Sequence, residues 1–176
     1  MPITFNNIIL WRHAEAVDSN HSDSVDHDMA RALTKKGQRQ AKKMAKWLNK
    51  NLNSTNLAHE KSLSNTLSTK FNVYSSDALR AYQTAQALQA NIEVRQGFNP
   101  NSSLQKVLAE LNLINQVQNL ILVGHSPWIG QLAAYLLGAK ADEFSIKKGA
   151  IWWLRLSESE PEHYEILTVQ TPDLLR

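Results

Sequence analysis

Apolar residues follow two rhythms along this chain. The short continuous run at 7–11 suits a strand buried on both faces, as in a parallel sheet, and 71–75, 119–123 and the shorter 91–94 read as further strands. Between them the apolar positions take helical spacing. Residues 37–49 place Ala41, Met44, Ala45 and Leu48 on one face behind a Thr34 cap. Ser76 or Asp77 caps a helix reaching about Gln89, with Ala81, Ala85 and Leu88 as its buried stripe. Ser102 or Ser103 opens another, with Leu104, Val107, Leu108 and Leu111 on one side. Pro127 suits the first position of a helix capped by Ser126 and ended by Gly138. Two further strands, 150–156 and 164–169, flank an acidic turn from Ser157 to Glu162.

This alternation predicts an α/β fold with three layers: a mostly parallel sheet flanked by helices, with an antiparallel edge at the C-terminus. Residues 14–33 are polar and irregular, with no periodicity. The Ser/Asn/Thr/Leu mixture over 52–70 reads as a long flexible connection or an insertion. No boundary divides the chain, so 1–176 is read as one domain.

Composition narrows the chemistry. The 176 residues include no cysteine, which removes a thiol nucleophile, a disulfide framework and a cysteine-ligated zinc site. No apolar run is long enough to span a membrane, and the first residues lack a signal-peptide pattern, so the expected compartment is cytoplasmic. Net charge is only +3, and Lys35, Lys36, Arg39, Lys42, Lys43 and Lys46 have the spacing of one solvated helix face. That face lacks interleaved aromatics, so no nucleic-acid partner is expected, and without a long apolar run no membrane partner is expected either.

Ligands of open α/β sheets bind beyond the carboxyl ends of the strands. Arg12 and His13 end the first strand, Arg80 opens the helix after the second, and His125 follows the fourth. Guanidinium forks match phosphate oxygens and stay charged at any working pH. Helix amides after Ser76 and Ser126 add partial positive charge. Histidine either attacks phosphorus or holds an equatorial oxygen. Two histidines and two arginines without a carboxylate pair point to phosphoryl transfer in which no metal or other cofactor is required.

The segments carrying these residues resemble a known family. Residues 10–16, Leu-Trp-Arg-His-Ala-Glu-Ala, resemble the opening motif of the histidine phosphatase superfamily. Residues 75–85, with Arg80 inside Ser-x-x-x-Arg-Ala-x-x-Thr-Ala, resemble its second motif, and Val123-Gly124-His125-Ser126 its third. Residues 31–37, where Ala32 replaces the usual proline, and residues 148–151 are similar to the SixA-type phosphohistidine phosphatases. The resemblance implies a phosphoglycerate mutase-like fold and a phosphohistidine-bearing bacterial signalling or phosphotransfer protein as partner. It also implies His13 as nucleophile, Arg12, Arg80 and His125 as phosphate ligands, and Arg31 as a further phosphate-binding group.

Larger members of that superfamily carry an acidic residue after the third strand, whereas residues 95–101 here contain none. Without a general acid an alkoxide leaves poorly, and imidazole, with a conjugate-acid pKa near 6.5, leaves more easily. Glu15 and Asp18 are the candidate acids of the first loop. His21, Asp23, Asp26, His27 and Asp28 form a cluster read as solvated rather than metal-binding. His59 and His163 are read as surface residues, and the five tryptophans as packing. Two other readings stay open: a small-molecule phosphomonoesterase and a noncatalytic phosphate-binding module.

Overall fold

The computed structural model describes residues 5–18, 24–54, 71–115, 117–160 and 163–175. Strands β1 (Asn7–Arg12), β2 (Asn72–Ser75), β3 (Ile92–Val94), β4 (Asn119–Gly124), β5 (Ile151–Leu156) and β6 (Tyr164–Gln170) form one sheet in the order β3-β2-β4-β1-β5-β6. The first four in that order pair in parallel, whereas β5 is antiparallel to both β1 and β6.

Both faces of the central strands β1 and β4 are covered, which explains their apolar runs. Ile8 and Leu10 of β1 point into one core with Leu120 and Leu122 of β4. Helices α4 (Leu104–Asn112) and α5 (Trp128–Leu136) close that face with Val107, Leu111, Trp128, Ile129 and Leu132. Ile9 and Trp11 point the other way, against Ile121, Val123 and the buried stripes of α2 (Lys35–Ser54) and α3 (Leu79–Gln86). The stripe of α3 comprises the expected Ala81 and Ala85, with Leu88 buried just beyond its end. The architecture is the expected three-layer α/β fold with its antiparallel edge.

Four local expectations shift. Residues 25–30 form a short helix, α1, where the pattern suggested irregular chain. It buries no residue, so it leaves no apolar periodicity to read; the Ser24 side chain caps it by accepting from the His27 amide. Helix α2 runs to Ser54, past the expected end at 49, because Leu52 continues the stripe of Met44, Ala45 and Leu48 and is itself buried. Residues 52–54 are therefore helical, and 55–70 lie outside the described residues. Helix α3 begins at Leu79, with Ala78 rather than Ser76 or Asp77 at the cap position. The Ser76 hydroxyl instead accepts the Ala78 amide and donates to Asn99. At α5 the cap position is Pro127, one residue past the expected Ser126.

Two glycines permit close approaches that matter for the site. A β-carbon on Gly124 would sit 2.0 Å from the Trp128 ring, so the indole lies flat against the end of β4. A β-carbon on Gly37 would sit 1.8 Å from the carbonyl oxygen of Glu15, so the first turn of α2 rests on the chain leaving β1.

Candidate active site

Register alone brings the two histidines together. Arg12 of β1 pairs with Gly124 of β4, so His13 and His125 leave the sheet side by side. Their ring centroids lie 5.0 Å apart. Ser75 pairs with Val123, which sets the start of α3, and hence Arg80, on the same rim. His13, Arg80 and His125 are all buried, and Arg12 is partly so.

Specific bonds hold His13, Arg12 and Arg80. His13 contacts the Ala14 carbonyl oxygen through Nδ1 at 2.8 Å. A carbonyl only accepts, so Nδ1 carries the proton and Nε2 presents a lone pair. The Ala14 amide is fixed in turn by the Thr84 hydroxyl, which donates to the Arg80 carbonyl oxygen. The loop after Arg12 is tied down by Gly149, whose amide donates to the carbonyl oxygens of both Arg12 and His13. Arg12 donates from Nη1 to the Ile146 carbonyl oxygen at 2.6 Å.

Helix α1 closes one side. Arg80 donates to the backbone oxygen of Asp28 and, from Nη2, to its carboxylate at 3.0 Å. The same carboxylate takes Nε and Nη2 of Arg31, at 3.0 and 2.9 Å, while Arg31 Nη1 reaches the Val17 carbonyl oxygen. Sequence reasoning missed Asp28, assigning it to a solvated cluster. The readable signal was its place three residues before Arg31, an opposite-charge pair at helical spacing. His21 and Asp23 of that cluster lie outside the described residues. Among the described residues no group of three or more His, Asp or Glu side chains is placed to share a metal ion.

Electrostatics favour neutral imidazoles beside fixed cations. Burial pushes His13 down to about 3 against its Ala14 bond, and Arg80, Arg12 and Lys148 press the same way. His125 falls to about 2, through burial and then through His13 and the arginines. Burial lowers both guanidiniums as well, yet a guanidinium stays charged in proteins. Glu15 binds Lys36 at 2.8 Å and Thr34 at 3.0 Å, which hold its carboxyl below the usual range. For Asp28, burial favours the neutral acid, but the Arg80 bond and charge together with Arg31 outweigh it and keep the carboxylate ionised. Asp18 is exposed.

Among the described residues, four buried nitrogens of the proposed phosphate ligands have no protein partner, Nε of Arg12, Nε of Arg80, and Nδ1 and Nε2 of His125, as has Nε1 of Trp128 beside His125. Buried donors are almost always satisfied, and leaving one bare costs about 1–3 kcal/mol. Unpaired N–H groups from three residues beside a free imidazole lone pair suit an oxyanion. A cavity of about 590 Å³ between α2 and α3 is lined by none of these side chains.

Comparison with known proteins shows the family and the fold. Residues 8–101, just over half of the chain, match the histidine phosphatase superfamily (branch 1), and the chain belongs to that family. Membership sets the class of reaction: hydrolysis of phosphoryl groups. The fold is SixA-like. It is similar to the protein histidine phosphatase SixA complexed with tungstate, at TM-score 0.71 and 24% identity over 97% of this chain and 99% of that one. It is similar also to a structure described as phosphohistidine phosphatase SixA from Agrobacterium tumefaciens, at 0.72 and 19% over 96% and 99%. A phosphoserine phosphatase from Entamoeba histolytica, in complex with phosphoserine, follows at 0.63 and 16% over 97% and 99%. No curated protein matches the chain in sequence. Among the described residues no helix is long and apolar enough to cross a membrane.

Proposed function

We propose that this protein removes the phosphoryl group from phosphohistidine on a phosphorelay or phosphotransfer protein, through a covalent phosphohistidine on His13. The carrying observation is the set of unpartnered buried nitrogens of Arg12, Arg80 and His125 around a histidine whose Nδ1 is already committed. In the first step Nε2 of His13 attacks phosphorus in line. The substrate P–N bond breaks, the P–Nε2 bond forms, and the substrate ring, already protonated on its other nitrogen, departs as neutral imidazole. In the second step water attacks phosphorus, releasing phosphate and restoring the neutral imidazole.

Arg12, Arg80 and the N–H of His125 meet the charge that spreads over the equatorial oxygens, with Arg31 as a further phosphate-binding group behind Asp28. Such preorganised donors act mainly by electrostatics, each worth roughly 3 kcal/mol of barrier. Neutral His13 is the form that can attack, and its burial keeps it so at physiological pH.

The identity of the leaving group follows from the carboxylates. Residues 95–101 contain none. Glu15 is tied up by Lys36 and Thr34, and Asp28 by two arginines, so both are poor proton donors. A site without a ready acid suits a group that departs without help. General acids typically contribute about 10²–10⁴-fold, and an alkyl phosphate forfeits that here.

The test is a panel of phosphohistidine proteins and simple alkyl phosphates. The expected result is a kcat/KM for phosphohistidine protein larger by about 10²-fold or more, the scale of the missing acid. Equal rates with an alkyl phosphate would overturn the substrate assignment in favour of a phosphomonoesterase. Phosphate binding without turnover of either substrate would leave a binding module.

A further inference from the structure

Among the described residues Asp28 is the carboxylate that bridges two of the arginines assigned to the site, and the reaction above gives it no task. We propose that Asp28 is a positioning residue, which binds the Nη edge of Arg80 and joins it to Arg31 so that the Nε edge of Arg80 is turned to the phosphoryl group. The proposal rests on the phosphate-site reading of the previous subsection.

The geometry of the guanidinium carries the argument. A guanidinium is a planar fork with five N–H donors along three edges. Asp28 takes Nη1 through its backbone oxygen and Nη2 through its carboxylate, so one edge is fixed at two points. Nε of Arg80 lies off that edge, is buried, and has no partner. The edge left over is the one that can hold two oxygens of a phosphate. The second carboxylate oxygen of Asp28 binds Arg31, whose Nη1 is anchored to Val17. One side chain therefore sets the plane of Arg80 and the distance between the two cations. Without it, two like charges would repel across a half-open rim, and Arg80, only 4% exposed, would lose the partner of its Nη edge.

The surroundings support a role beyond folding. Helix α1 buries none of its residues, so Asp28 adds nothing to the apolar core. Its side chain is 31% exposed, the setting of a group on the wall of a site. A general-acid role does not fit, because two arginines keep it ionised.

The experiment uses the full chain as the parent protein, Asp28→Asn, Asp28→Glu, Arg80→Lys and the Asp28→Asn/Arg80→Lys pair. Tungstate affinity is read by calorimetry, kcat/KM with p-nitrophenyl phosphate, and folding by thermal melting. Loss of a group that orients another commonly costs about 10–100-fold, and that loss is expected for Asp28→Asn in both affinity and kcat/KM. Asp28→Glu, which keeps the charge but displaces it, recovers part of the loss and guards against a folding defect in the first variant. Once Arg80 is Lys the fork is gone, so Asp28→Asn adds little, the non-additivity expected of residues acting through one another.

Affinity and turnover unchanged in Asp28→Asn would overturn the proposal, as would fully additive losses in the double variant. Tighter tungstate binding would overturn it too, since Asp28 would then be competing with the anion. A parent that binds tungstate but turns over nothing refutes the hydrolase reading alone, and the calorimetric comparison still decides on Asp28. A parent that binds no tungstate overturns both.

Discussion

Nδ1 of His13 donates to the carbonyl oxygen of Ala14 at 2.8 Å, a bond between neighbours in sequence that decides which ring nitrogen is free. Burial then keeps the ring neutral, with its pKa pushed down to about 3. An ordinary imidazole near 6.5 would be mostly protonated at pH 5 and unable to attack. His13 loses its proton at a far lower pH, so the nucleophilic form persists through that range. The expected outcome is a kcat/KM, corrected for substrate ionisation, that stays level from pH 7 to 5 with p-nitrophenyl phosphate. A fall centred near 6.5 would contradict a desolvated nucleophile.

Glu15 follows Ala14 directly and is the carboxylate nearest in sequence to the nucleophile. Its oxygens are committed to Lys36 and Thr34 rather than to a leaving group. Glu15→Gln is expected to leave kcat with a simple alkyl phosphate and with phosphohistidine protein within a few-fold of the parent. A loss approaching about 10²-fold, confined to alkyl phosphates, would mark it as the missing acid.

Gly124 is the residue before His125 and the floor on which Trp128 lies. A methyl group there would fall 2.0 Å from the indole. Trp128 is fully buried, with Phe98 and His125 beside it, so it has little room to retreat. Gly124→Ala is expected to destabilise by about 1–3 kcal/mol, the usual range for overpacking a core. Displacement of His125 should lower kcat as well. Urea unfolding and initial rates check both, and a variant as stable and active as the parent would contradict the packing described.

Much of this was legible in the sequence, for stated reasons. Strands covered on both faces leave apolar runs, so β1 and β4 were readable to within a residue. Arg12, His13 and His125 stand at their ends, where a change from apolar to charged is conspicuous. The register that pairs Arg12 with Gly124 was not readable, because parallel pairing between strands more than a hundred residues apart leaves no local mark. Helix α1 was missed because it is only six residues long and buries none of them, and Asp28 was missed with it. The His13 partner was equally hidden, since a backbone carbonyl has no residue-type signature.

The central claim is that phosphorus is transferred to Nε2 of His13. Its most direct measurement is rapid quenching of the reaction with radiolabelled phosphohistidine protein, followed by peptide mapping. The account predicts transient label on His13 in an acid-labile, alkali-stable form, absent together with turnover in His13→Asn. Label on another residue, or a His13→Asn variant turning over at the parent rate, would contradict it.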